Sequence, residues 1–155
     1  MATQDKIIIY CDGACSGNQY RCNAGGWGAI LQRGDLLKEI YGGELDTSNQ
    51  RMELTACIRA LEQLRSGKYS IEVYTDSAYL VGCMNDKWYL TWQKNGWMNS
   101  AKKPVVNRDL WEKLLALLSL YKVVFIKVAG HSGNKLNERA DELARQGVEI
   151  VKINR

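Results

Sequence analysis

Four carboxylates, Asp12, Glu53, Asp76 and Asp141, fall where regular elements begin or end, and the single histidine, His131, precedes the last of them. Asp12 closes the apolar run Ile7-Ile8-Ile9-Tyr10-Cys11, and Asp76 closes Ile71-Glu72-Val73-Tyr74-Thr75. A carboxylate at the end of a buried strand costs on the order of several kcal/mol to desolvate unless a cation or hydrogen-bond donors compensate it. Carboxylates brought together also repel one another, and a hard divalent cation removes that repulsion. The residue types therefore point to an oxygen-ligand site for Mg²⁺ or Mn²⁺.

The elements that must position these groups are legible in outline. Residues 6–12 have apolar side chains in both alternating sets and are expected to form a strand buried on both faces. After a polar loop at 13–23, residues 25–32 and 36–43 read as two more strands, so that 6–43 forms an antiparallel meander. Ser48 and Asn49 offer helix caps, Leu54, Cys57, Ile58, Leu61 and Leu64 recur at helical spacing, and Gly67 is the expected stop. A strand at 71–75, a short helix capped by Ser77, a helix near Trp88, an amphipathic helix at 107–120, a last buried strand at 123–128 and a helix at 137–147 complete the chain. A strand–helix–strand crossover makes 71–76 parallel to the first strand. Ligands of such sheets bind beyond the carboxyl ends of neighbouring parallel strands, where Asp12 and Asp76 both fall.

The 155 residues fit one domain (1–155), with ordinary apolar (46%) and charged (25%) content and no apolar run long enough to span a bilayer. No signal-peptide pattern opens the chain, so a cytoplasmic protein is expected. One histidine and five scattered cysteines do not supply zinc-ligand spacing. Cys11 and Cys57 fit core positions. Cys15 and Cys22 share a loop and either bridge or stay reduced; a cytosolic setting favours the reduced pair. The net charge of +4 is mild, but residues 85–122 carry seven basic against three acidic side chains, which accounts for all of it. That segment also holds Trp88, Trp92, Trp97 and Trp111, four of the five tryptophans. Basic groups interleaved with aromatics can follow a phosphate backbone and pack on sugars or bases. Trp111 and Trp27 read as core.

The blocks Asp12-Gly13-Ala14-Cys15 with Asn18, Ser48-Asn49-Gln50-Arg51-Met52-Glu53-Leu54, Tyr74-Thr75-Asp76-Ser77, Trp92-Gln93-Lys94-Asn95-Gly96-Trp97 and Gly130-His131-Ser132-Gly133, the last followed by Asn137-Glu138-Arg139-Ala140-Asp141, are collinear. Together they resemble type 1 ribonuclease H over residues 6–147. The resemblance implies an α/β, ribonuclease H-like fold: a five-stranded mixed sheet, three antiparallel strands then two parallel, flanked by helices, with a basic protrusion at about 85–106. It implies an endoribonuclease that hydrolyses the RNA strand of RNA–DNA hybrids with two divalent ions, Mg²⁺ or alternatively Mn²⁺, leaving 5′-phosphate and 3′-hydroxyl ends. Asp12, Glu53, Asp76 and Asp141 would be the metal ligands, and His131 would move protons or help release product.

By the same resemblance, Asn18, Asn49 and Gln50 would read the minor groove, where the 2′-hydroxyl distinguishes RNA from DNA. Trp88, Trp92 and Ser100 would form the channel for the DNA strand, and Ser48 and Asn107 a pocket for a DNA phosphate. The pocket's usual arginine is replaced by Asp46, which weakens the hold on phosphate unless Arg51 or a nearby lysine substitutes. The loop at 17–23 lacks a short glycine-proline pattern. A free-standing monomer without a preceding hybrid-binding module is expected. A DNA-cutting nuclease of the same fold and a non-catalytic hybrid-binding module are the alternatives.

Overall fold

A computed structural model describes residues 6–18, 21–65, 67–130 and 133–153. Strands β1 (Lys6–Asn18), β2 (Arg21–Arg33) and β3 (Leu36–Thr47) form the meander, followed by α1 (Asn49–Glu62), β4 (Ser70–Thr75), α2 (Ala78–Asn85), α3 (Trp88–Asn95), α4 (Arg108–Leu118), β5 (Lys122–Lys127) and α5 (Lys135–Ile153). The sheet runs β3-β2-β1-β4-β5. β1 is antiparallel to β2 and parallel to β4, and β4 is parallel to β5. Element order and sheet architecture match the expectation.

Alternation along β1 divides the structure into two layers. Ile7, Ile9 and Cys11 face a core built with Leu54, Cys57, Ile58, Leu61, Leu80, Trp111 and Leu114 from α1, α2 and α4. Trp111 is fully buried and Trp27 packs against this core, as read from the sequence. The other face carries α5, which approaches through glycine. A Cβ on Gly26 would collide with the Ala144 carbonyl and the Val148 amide. One on Gly28 would stand 2.6 Å from Leu143 Cβ, and one on Gly147 would strike the Gly42 carbonyl. Helix backbone thus lies directly on sheet backbone.

Five local expectations change. The polar stretch after Asp12 is not a loop: β1 stays paired with β2 to Asn18↔Arg21, with a bulge between Ser16 and Gly17. The inter-strand ladder satisfies polar backbone whatever the side chains. Within this extension Cys15 and Cys22 form a disulfide rather than the expected reduced pair, because the hairpin brings their Cα atoms to 5.4 Å, within bridging range. α1 stops at Glu62 with Gln63 as its C-cap, ahead of Gly67. β5 is an edge strand with only Phe125 buried, so the reading of a buried strand fails there. β1 is fully buried on one face only, Ile8 and Tyr10 being half-buried. Among the described residues no helix is long and apolar enough to cross a membrane.

The backbone-on-backbone seat leaves no room for a methyl group. Gly26→Ala is expected to lower unfolding stability by about 1–3 kcal/mol, the usual cost of overpacking. Urea titration measures it, and an unchanged midpoint would show that α5 can shift at no cost.

Candidate active site

Asp12 occupies the carboxyl end of the central parallel stretch of β1. It pairs with Gly28, whose open side faces α5, so the Asp12 side chain points to the α5 face. Asp76 follows the end of β4 directly, and the parallel register Tyr10↔Tyr74 sets the two strand ends side by side. Glu53 lies in the second turn of α1 and turns inward. Its helix begins at Ser48, whose hydroxyl accepts from Arg51 N at 3.1 Å, as expected for the cap. Asp141 lies in the second turn of α5. A side chain at Gly130 would press on Asp76, its Cβ standing 3.1 Å from Oδ2, so the 130 backbone passes over that carboxylate.

The four carboxylates interact. Burial, then the charge of Asp76, pushes Asp12 from an ordinary 3.8 up to about 8; the Gly13 amide works against this, while the charge and hydrogen bond of Asp141 add to it. The Gly13 N–H donates to Asp12 Oδ1 at 2.9 Å. Glu53 is also raised, first by burial and then by Asp76, with the Ser77 hydroxyl opposing. Asn49 Nδ2 donates to Glu53 Oε1 at 2.6 Å, which orients the carboxylate. Asp141 is paired with Arg145 one turn on, Nη2 to Oδ2 at 3.0 Å.

Among the described residues no three histidine, cysteine or acidic side chains close into a ready-made metal cage. Nevertheless the donor set is all carboxylate oxygen, and burial together with the charge of Asp76 and Asp141 leaves Asp12 holding a proton at neutral pH. That chemistry fits a hard divalent cation. Mg²⁺ in particular is held by one or two carboxylates together with water and substrate phosphate oxygens rather than by an all-protein cage.

Around this centre, Ser48 and Asn107 are joined through Arg51, which follows the capped turn. Its Nη1 donates to Asn107 Oδ1 at 3.3 Å and its guanidinium forms a fork with Asp109 at 3.0 and 2.9 Å. Arg51 therefore reaches Ser48 and Asn107, the pair expected to bind phosphate, with its charge already offset by Asp109. Asn107 adopts a left-handed backbone (φ 68°) and gives α4 no side-chain cap. Gln50 is exposed beside Asn49. Trp88, 40% exposed, meets Trp92 edge-on, while Trp92 leans on Trp97 and Trp111 and so serves mainly packing. Ser100 is exposed in the turn that follows. His131 lies outside the described residues, as does the side chain of Asn18. Arg145 and Asn134 are absent from the sequence expectations, and Ser77, expected only as a helix cap, also hydrogen-bonds Glu53. The i, i+4 spacing of Asp141 and Arg145 was a usable signal for the first, whereas the others depend on contacts between elements.

A mixed sheet with acidic side chains gathered past the ends of its adjacent parallel strands defines an α/β protein with a polar, anionic centre at the strand termini. Comparison with known proteins makes this specific. The family model for RNase H matches residues 4–149. A ribonuclease H of Syntrophomonas wolfei is 51% identical over 146 residues, covering 94% of this chain and 98% of its own. One of Dechloromonas aromatica is 50% identical over 155 residues, covering 98% and 99%. Among solved structures, LC9-RNase H1, described as a type 1 RNase H with the type 2 active-site motif, superposes with a TM-score of 0.83 at 24% identity over 96% of this chain and 74% of that one. LC11-RNase H1 in complex with RNA/DNA hybrid gives 0.70 at 25% identity over 95% and 99%. The chain belongs to the ribonuclease H family and is an enzyme of that family.

The unfolded chain releases the Asp12 proton near 3.8, whereas the folded protein without metal holds it to about 8. Folding binds a proton between these values, so stability falls as pH rises through that window. Asp12→Asn removes the ionisation. It is expected to exceed the wild type in stability at pH 8 by on the order of a few kcal/mol, the gap closing toward pH 4. Urea unfolding in chelator at both pH values is the measurement; equal midpoints at pH 8 count against the coupling.

Proposed function

We propose that this enzyme hydrolyses the RNA strand of RNA–DNA hybrids, leaving 5′-phosphate and 3′-hydroxyl ends. The observation that carries the reading is the convergence of carboxylates from β1, α1, the end of β4 and α5, where Asp12 and Glu53 are raised by burial and by the neighbouring charge of Asp76, and Asp12 also by Asp141, in a chain of the ribonuclease H family. A relative of the same fold is described with RNA/DNA hybrid bound. When bound, a pair of divalent cations, Mg²⁺ or Mn²⁺, supplies the Lewis acidity that activates water and stabilises the leaving 3′-oxygen in an in-line displacement.

The chain's residues do the rest. Asp12, which neighbours Asp76 and Asp141, would lose its proton on cation binding, and Asp12, Asp76 and Asp141 would hold the cations with Glu53. Glu53, oriented by Asn49 and Ser77, holds the attacked phosphate's neighbourhood and meets the ribose 2′-hydroxyl. Asn49 and Gln50, with Asn18, are the minor-groove readers. His131 is assigned proton transfer or product release through the Gly130-His131-Ser132-Gly133 block. Trp88 offers its exposed ring to deoxyribose, Trp92 supports it from below, and Ser100 extends the same track. Ser48 and Asn107 bind a DNA phosphate. The enzyme acts as a monomer in the cytoplasm.

Three outcomes follow. A labelled hybrid is cut in Mg²⁺ while all-DNA duplex is spared; an intact hybrid in both Mg²⁺ and Mn²⁺ would sink the reading, and cutting of the DNA duplex would favour a DNA nuclease. Asp12→Asn abolishes turnover and keeps hybrid affinity within about threefold, since one anionic ligand is lost without a phosphate contact. Because Arg51 is held by Asp109, Asp46→Arg tightens hybrid binding and steepens its salt dependence by about one phosphate contact. Anisotropy titrations across salt concentrations measure both, and no change would mean that Arg51 already fills the pocket.

A further inference from the structure

Tyr10 lies two residues before Asp12 on the same face of β1, the face that α5 covers. Its ring is stacked on Tyr74 of the adjacent parallel strand, with centroids 4.9 Å apart and planes 15° from parallel. The two phenols then diverge in use. Tyr74 donates to Glu72 Oε1 at 2.8 Å, and Glu72 is further held by Lys6 at 3.1 Å. The Tyr10 hydroxyl instead accepts from Asn134 Nδ2 at 3.2 Å, across 124 residues of sequence.

Asn134 spends both ends of its amide. While Nδ2 reaches Tyr10, Oδ1 accepts from the backbone N–H groups of Leu136 and Asn137 at 3.1 and 3.0 Å, capping the first turn of α5. The Asn134 carbonyl begins the helical ladder by accepting from Glu138 N at 2.9 Å. One side chain therefore pins the start of the helix that carries Asp141 to the strand that carries Asp12. The glycine contacts farther along α5 are van der Waals contacts, which set the height of the helix above the sheet but resist sliding along it weakly. Farther along, the solvent-exposed Arg139–Glu39 fork ties α5 to β3 at 2.7 and 2.9 Å, and the Tyr10–Asn134 bond adds a half-buried polar tie at the helix start, directly to β1. Displacements of about 1 Å at a reacting centre can cost on the order of a hundredfold in rate, so such a restraint has leverage.

We propose that the Tyr10–Asn134 hydrogen bond is a positioning device that sets the registry of Asp141 against Asp12. The proposal rests on the function given above for its catalytic consequence, but not for its structural one. Tyr10 is assigned no contact with the reacting atoms, its polar partner being Asn134 and its ring partner Tyr74. It acts through Asn134 and α5, with the stacked Tyr74 ring keeping its hydroxyl aimed.

Tyr10→Phe removes the hydroxyl and keeps the ring stack; Asn134→Ser keeps a capping oxygen but is too short to reach Tyr10. Three readouts decide: hydrogen exchange of the amides at 136–138 without metal, Mg²⁺ binding by calorimetry, and kcat and KM on a labelled hybrid. Each variant is expected to speed exchange by roughly two- to tenfold, the fold-change of one net hydrogen bond. Each should also weaken Mg²⁺ binding and lower kcat with KM within about twofold, as for a group acting only on the reacting geometry. Substituting Phe at Tyr10 in the Asn134→Ser background should add nothing further, since the bond is already gone. Unchanged exchange in Tyr10→Phe, or multiplicative effects in the double variant, overturns the proposal, as does a KM effect with kcat intact. If Tyr10→Phe fails to fold, Asn134→Ser decides by the same exchange and calorimetry. If the wild type does not cut the hybrid, the proposed function has failed, and exchange and Mg²⁺ binding still judge the strut.

Discussion

The central constraint is electrostatic: carboxylates that repel one another must be held together, partly out of water, before any cation neutralises them. Asp12 shows the strain most clearly, since burial and its acidic neighbours drive it to retain a proton to about pH 8. No local preference would assemble such a group. Its members come from β1, α1, the end of β4 and α5, so only the packing of the whole domain can oppose their repulsion.

Two structural devices carry that load. On one face, α1 and α4 bury a conventional side-chain core against Ile7, Ile9 and Cys11, which fixes the height of Glu53. On the other, α5 rests on the sheet through Gly26, Gly28, Gly42 and Gly147, bringing Asp141 closer than a layer of side chains would permit. The polar partners are equally specific: the Gly13 amide for Asp12, Asn49 and Ser77 for Glu53, and Arg145 for Asp141. Each limits the motion of a carboxylate without filling the space between them.

The basic, tryptophan-rich segment follows a different logic. Trp92 is joined to Trp97 and Trp111, so the segment is braced from within and Trp88 is left partly exposed. Arg51 is a comparable compromise: its fork with Asp109 orders the approach to Asn107 but spends the charge that a phosphate would meet. Composition alone registers such an arginine as one more positive charge. Its pairing shows that the charge is offset locally.

Element order and the places of the four carboxylates were legible because apolar periodicity and capping residues are local signals. Ser48, Ser77 and the runs ending at Asp12 and Asp76 carry them without reference to distant residues. The family blocks added the chemistry. The expectations that failed were those decided by pairing partners: the 13–18 stretch is polar, yet becomes strand because β2 supplies its ladder, and Cys15 meets Cys22 because the hairpin, with its register shift at Ser16/Gly17, brings their Cα atoms to 5.4 Å. Likewise β5 has the composition of a buried strand and lies at the sheet edge, since burial depends on what is packed alongside. The sequence by itself determined which groups are available and which element ends present them. Tertiary structure alone decided that they press on one another, that Arg51 arrives neutralised, and that Tyr10 reaches Asn134, because each is a contact between elements far apart in the chain.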